Sequence, residues 1–156
     1  MLDADPDIEE YVMHKHFQRS KDQRLFISKD AGTAQFVSTN DLEMTRTIDG
    51  LLLKAFGHDP FVEIAFLHAP KPDCFLVHVE ITSSVATTMQ LFYTTVKKEV
   101  FSPDMVVSKR IKKGYNEFLF RLPHPDILGK IRFDPGMIAG EYTLHSLSIK
   151  GEWYGI

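Results

Sequence analysis

The chain is short of the residues that most often announce a chemistry. Cysteine occurs once in 156 residues, at Cys74, so an internal disulfide and a cysteine-ligated zinc site are both excluded. Excess positive charge is missing too. The 18 Lys and Arg against 21 Asp and Glu leave a net charge of −3, with no global field to hold a nucleic-acid backbone. No apolar run approaches the ~18 residues of a membrane-spanning helix, so no membrane span is expected. The opening MLDADPDIEE is acidic where a signal peptide would be basic and then apolar, which predicts an untargeted, cytoplasmic chain. Gly-x-Ser-x-Gly, Gly-x-x-x-x-Gly-Lys and Gly-x-Gly-x-x-Gly are all absent, and with them the usual nucleophile elbow and phosphate cradles.

What remains is globular: 44% hydrophobic and 25% charged residues in 17.9 kDa, enough to bury roughly two thirds of the extended chain's surface in one domain. Twelve Phe beside many Val, Ile and Thr favour a β-rich core. Five Tyr and the single Trp153 are the rings with a polar edge, suited to core or ligand.

One helix is expected, at the N-terminus. Asp5 can cap it, Pro6 suits its first position, Asp7, Glu9 and Glu10 complement the positive end of the dipole, and His14, Lys15, His16, Arg19 and Lys21 the negative end. Ile8, Tyr11 and Val12 form its expected contact stripe, which Met13 and Phe17 do not extend. From Arg24 onward the period becomes two. RLFIS at 24–28 and QFVS at 35–38 read as edge strands, and 42–56 as one bent strand or as two joined at Asp49-Gly50. Cys74 to Thr82 alternates most clearly, with Phe75, Val77, Val79 and Ile81 on one face and His78 and Glu80 on the other. Thr88 to Val96 can turn either Met89, Leu91 and Tyr93 or Gln90, Phe92 and Thr94 inward. Tyr115 to Leu122 buries Phe118, Phe120 and Leu122, leaving Glu117 and Arg121 outside. Two last strands, 129–134 and 141–150, flank Asp134-Pro135-Gly136, which fits a type II turn, and the slip between Leu144 and Leu147 predicts a bulge near His145. Roughly eight to ten short strands without βαβ alternation predict an all-β, two-sheet jelly-roll sandwich at 23–156, preceded by a helix or linker at 1–22.

Residues 42–150 resemble a β-sandwich region of bacterial polysaccharide-biosynthesis proteins, notably surface-glycan glycosyltransferases, and carbohydrate-binding modules of the galactose-binding-like jelly-roll class. The resemblance is carried by Thr47-Ile48-Asp49-Gly50, Gly57-His58-Asp59-Pro60-Phe61, Gln90-Leu91-Phe92-Tyr93 and Phe101-Ser102-Pro103. It continues in Lys113-Gly114-Tyr115-Asn116-Glu117, the run from Gly129 to Gly136, Gly140-Glu141-Tyr142 and Leu147-Ser148-Ile149. It implies an accessory module beside a glycosyltransferase domain, with a glycan or that domain as partner. It also implies no cofactor beyond a structural calcium ion, which the sequence does not localise; Asp49, Asp59 and Glu141 could contribute ligands, but turn capping by aspartate is the simpler account of them.

The residues themselves give a candidate ligand face. If the apolar registers point inward, His78, Glu80, Glu117, Arg121 and Arg132 point out together, joined by Phe92 or Tyr93 according to the face of 88–96. A ring among His, Glu, Gln and Arg suits a sugar, whose CH face stacks while its hydroxyls take bidentate hydrogen bonds. The competing account is a solvated face with cross-strand charge pairs. Trp153 and Tyr154 are a second candidate, either for ligand or for packing and docking. Glu80 and Glu117 are the best available carboxylate pair, more suited to salt bridges than to hydrolysis, and a catalytic Cys74 or a metal on His14 and His16 has little support. No nucleophile, base and oxyanion donor assemble, so a non-catalytic module is expected. The alternative is a structural domain whose helix and C-terminal tail dock on a partner or on a second copy.

Overall fold

Residues 6–30 and 35–154 are described by the computed structural model; the expected cap Asp5 lies outside them. Helix α1 (Pro6–Arg19) is followed by eleven strands: β1 (Gln23–Ser28), β2 (Phe36–Asn40), β3 (Leu42–Arg46), β4 (Leu51–Ala55), β5 (Phe61–Ala65), β6 (Cys74–Ser83), β7 (Thr87–Thr95), β8 (Val106–Ile111), β9 (Gly114–Arg121), β10 (Ile127–Asp134) and β11 (Gly140–Glu152). They pair antiparallel in two sheets. The first runs β3-β4-β11-β6-β9, with β1 added beside β11, and the second runs β2-β5-β10-β7-β8. This is the two-sheet jelly-roll sandwich that the alternation predicts.

The inner faces close on one apolar core. Val77, Val79 and Ile81 of β6 and Leu144, Leu147 and Ile149 of β11 meet Leu91 of β7 and Ile131 and Phe133 of β10, and none of these is more than 1% exposed. The register of β7 is thereby settled. Met89, Leu91 and Tyr93 face inward, and Tyr93 is only 4% exposed, so this candidate ligand residue is a core ring instead. The physical reason is the cross-strand partnership: Tyr93 stands beside Ile131 and Leu91 beside Phe133, both in the inward register of β10.

β11 carries the bulge expected near His145. Its pairing with β6 slips between Leu144 and Ser146, which lets Leu144 and Leu147 both face the core. On its other side β11 pairs first with β4, over Gly140–Leu144, and then with β1, over Ser146–Lys150. The segment 42–56 is two strands, joined by a turn in which the Thr47 amide donates to the Gly50 carbonyl at 2.8 Å. At Gly50 (φ +156°) a β-carbon would sit 2.5 Å from the Leu144 carbonyl oxygen, so the close approach of the turn to β11 requires glycine.

Two further expectations are corrected. Pro135-Gly136 does not form a type II turn, because Gly136 lacks the positive φ that such a turn needs at that position. Gly136 is instead where the chain crosses from one sheet to the other against Tyr142, whose hydroxyl and ring carbon occupy the space of a β-carbon. Tyr142 is itself fully buried and donates to the Ile138 carbonyl at 2.7 Å.

The second correction concerns α1. Ile8 and Tyr11 are 61% and 62% exposed, and the turns that touch the sandwich present Met13, His16 and Phe17 instead. Electrostatics explains the choice of face. His16 Nδ1 lies 2.6 Å from a carboxylate oxygen of Glu152, Lys150 donates to the Phe17 carbonyl at 3.0 Å, and the Ser20 hydroxyl to the Gly151 carbonyl at 2.6 Å. Glu152 is 4% exposed, and burial alone would raise its pKa. Hydrogen bonds from Arg121, Tyr154 and His16 overcome that and hold it at about 2. Among the described residues no helix is long and apolar enough to cross a membrane.

Because the folded Glu152 carboxyl ionises below its unfolded value, it contributes stability above about pH 4.5 that is lost as pH falls toward 2. Glu152→Gln is expected to cost about 2 kcal/mol at pH 7, after allowance for solvent screening, in urea unfolding, with the difference from wild type shrinking by pH 3. Amide exchange in α1 should rise in the same variant.

Candidate functional site

The polar residues singled out by alternation do not share one face. His78, Glu80 and Glu117 lie on the outer face of the β6-β9 side of the first sheet, whereas Phe92 and Arg132 lie on the outer face of the second. Arg121 belongs to the α1 anchor, bonded to Glu152 through Nε at 2.9 Å and Nη2 at 3.0 Å. Trp153 is 54% exposed, and its indole donates to Asp22 at 2.8 Å.

The second sheet holds the more complete ligand-type arrangement. In β10, Ile131 and Phe133 take the inward positions, so Lys130, Arg132 and Asp134 must face out. Arg132 stands opposite Glu63 of β5 and Phe92 of β7, and Asp134 opposite Gln90. The Arg132 guanidinium carbon lies 3.9 Å from the Phe61 ring centroid and 5.0 Å from that of Phe92, so the cation sits between two half-buried rings. Its orientation is fixed by Asp134, which accepts from Nε and Nη2 at 2.9 Å each, and by Asp59, which accepts from Nη2 at 2.7 Å. Nη1 takes no acceptor among the described residues. Beside this group His58, Pro60, Gln90 and Met137 complete a shallow depression of about 110 Å³, and one position along the sheet Lys130 lies 5.4 Å from the Phe101 ring.

Burial dominates at Asp134, raising its carboxyl to about 6 against the opposing pull of Arg132, with the Asp59 charge adding to the rise. Phe61 and Asp134 were not among the sequence candidates. The alternation of Phe61, Glu63 and Ala65 against Val62 and Ile64 carried the signal for Phe61. Asp134 was hidden by its place before Pro135-Gly136, where an aspartate reads as a turn residue.

On the first sheet His78 Nε2 lies 3.4 Å from Glu117 and 4.0 Å from Glu80, with Phe17, Phe26, Ser146 and Ser148 around an open depression of about 360 Å³ next to them. Glu80 and Glu117 are direct cross-strand neighbours and do not face each other across a cleft, so the two-carboxylate geometry of glycoside hydrolysis is not formed. Asp49, Asp59 and Glu141 stand on separate segments and do not converge, and Asp59 is engaged by Arg132.

No protein-family model matches the sequence, and no curated protein does. Solved structures do match in fold. A family 29 carbohydrate binding module from Piromyces equi, CBM29_1, superposes with a TM-score of 0.61 at 11% identity, covering 85% of this chain and 92% of that one. The xylan-binding module CBM15 gives 0.56 at 12% identity, over 85% and 99%. The C-terminal CBM6 of LamC from Zobellia galactanivorans gives 0.57 at 10%, over 81% and 98%. At such identities the likeness establishes a shared jelly-roll fold, and the site must be argued from its own residues.

The folded Asp134 carboxyl keeps its proton to higher pH than an unfolded aspartate does. It therefore favours the fold in acid, and stability falls as pH rises from about 4 to about 6. In a carbon-detected NMR titration its midpoint should lie near 6, and Arg132→Met should move it upward. A midpoint near 4 in the wild type would show that burial does not outweigh the Arg132 ion pair at this carboxyl.

Proposed function

We propose that the chain is a non-catalytic carbohydrate-binding module that holds a glycan against the outer face of the β2-β5-β10-β7-β8 sheet. The observation that carries this is the Arg132 group: a guanidinium fixed by two carboxylates between Phe61 and Phe92, with Nη1 turned to no protein acceptor among the described residues. Sugar rings present apolar CH faces and planar pairs of hydroxyls, and half-buried phenyl rings beside a pre-oriented guanidinium match both. Gln90 and Glu63, in neighbouring rows, extend the supply of hydrogen-bonding groups. The shallow depression suits a chain lying across the sheet. The fold of the matched modules supports the same assignment, and the resemblance of residues 42–150 to glycan-synthesis proteins supports an accessory role beside a glycosyltransferase domain.

A second assignment, self-association, is favoured by one observation. Ile8, Tyr11 and Val12 form an apolar stripe on α1 that the sandwich leaves exposed. A second copy of the chain would cover it. Light scattering should then show a dimer that Tyr11→Ser returns to monomer, and a strict monomer at high concentration removes this assignment.

Titration calorimetry against a panel of soluble polysaccharides that includes xylan and uronic-acid-bearing chains tests the glycan assignment. Phe92→Ala and Arg132→Met are each expected to weaken binding at least tenfold, while Ile8→Ser leaves it unchanged. Binding by wild type that neither variant disturbs, or no binding to any member of the panel, overturns the assignment to this face.

A further inference from the structure

The other outer face carries a group that glycan binding by the second sheet does not use. His78 and Glu80 are two apart on β6 and so share a face, and Glu117 of β9 is the direct cross-strand partner of Glu80. Like charges directly opposite in a ladder destabilise it unless a cation lies between them. Here the imidazole Nε2 is directed at both carboxylates, 3.4 Å from Glu117 and 4.0 Å from Glu80. One ligand atom from each of the three residues falls within 4.8 Å of the others, the one such grouping among the described residues.

We propose that His78, Glu80 and Glu117 bind a divalent first-row transition cation, zinc being the best fit. Metal–nitrogen and metal–oxygen bonds of about 2.0–2.2 Å place tetrahedral ligand atoms ~3.4 Å apart, so the observed separations need only small side-chain rotations to close on one ion. Imidazole selects zinc and its neighbours over calcium and magnesium, which prefer all-oxygen shells. The surroundings are built to orient the ligands. The Ser146 hydroxyl is 3.4 Å from Glu80, and the Phe17 ring lies 5.2 Å from the His78 ring, restricting it. Glu117 is 42% exposed and Glu80 33%, so the remaining coordination positions open to solvent and to the adjacent depression. An ion there would replace the repulsion between the two carboxylates with a shared attraction and fasten β6 to β9.

The site does not depend on glycan binding and is tested on the full chain with the metal alone. Zn²⁺ in competition with a fluorescent chelator should bind one ion per chain, and Co²⁺ in its place should develop the visible absorption of a low-coordinate site. His78→Ala and Glu117→Gln should each weaken Zn²⁺ binding tenfold or more, with circular dichroism unchanged. At a hundredfold excess over Kd the ion should raise Tm by about 5–10 °C, and the shift should vanish in His78→Ala. Undiminished Zn²⁺ binding by a His78→Ala, Glu80→Gln, Glu117→Gln triple variant marks adventitious capture by other histidines and overturns the proposal. So does a preference for Ca²⁺ that His78→Ala leaves intact, or an absence of Zn²⁺ binding by the wild type.

Discussion

Most of this structure hangs on the length of β11. Thirteen residues in one strand are enough to pair with β6 from Tyr142 to Glu152 while serving two neighbours in turn on the other edge, β4 and then β1. A single strand in that position must satisfy hydrogen bonds to three partners whose twists differ, and the bulge between Leu144 and Ser146 is where the mismatch is absorbed. It lies where β4 gives way to β1. The same strand then delivers Ser146 and Ser148 to the His78 face, Lys150 to the ring and carbonyl of Phe17, and Glu152 to the helix. Core, outer face and helix anchor are thus successive consequences of one ladder.

The two outer faces use charge differently. On the second sheet a cation is held between rings and shielded by carboxylates, so its charge is largely compensated. On the first sheet two anions meet at one imidazole, and the local excess is negative. The helix extends this asymmetry by covering part of the first sheet and leaving the Arg132 face uncovered.

Alternation along single strands made much of the fold legible. The registers at 74–82, 115–122 and 129–134 identified the inward residues, and the slip from Leu144 to Leu147 located the bulge. Alternation tells inside from outside but not which sheet a strand joins, because pairing partners are set by contacts distant in sequence. His78, Glu80 and Glu117 were therefore placed with Arg132 although a core lies between them. The ambiguity at 88–96 had the same origin, and it took Ile131 and Phe133 beside Tyr93 and Leu91 to send Phe92 outward. At the helix the apolar stripe of Ile8, Tyr11 and Val12 was a poor guide, since the anchor is polar and uses His16 and Ser20 on residues more than a hundred positions away.

The crossover between the sheets bears on the entropy of recognition. Gly136 and Met137 border the Arg132 depression, and the segment they belong to is fitted against the ring of Tyr142 and tied to its hydroxyl through Ile138. That wall is fastened to the hydrophobic core by a side chain that solvent does not reach. A glycan held there, as proposed, would meet a surface whose conformational freedom was already surrendered on folding, so little further ordering would oppose its binding. Selectivity at this face would then come from a rigid outline.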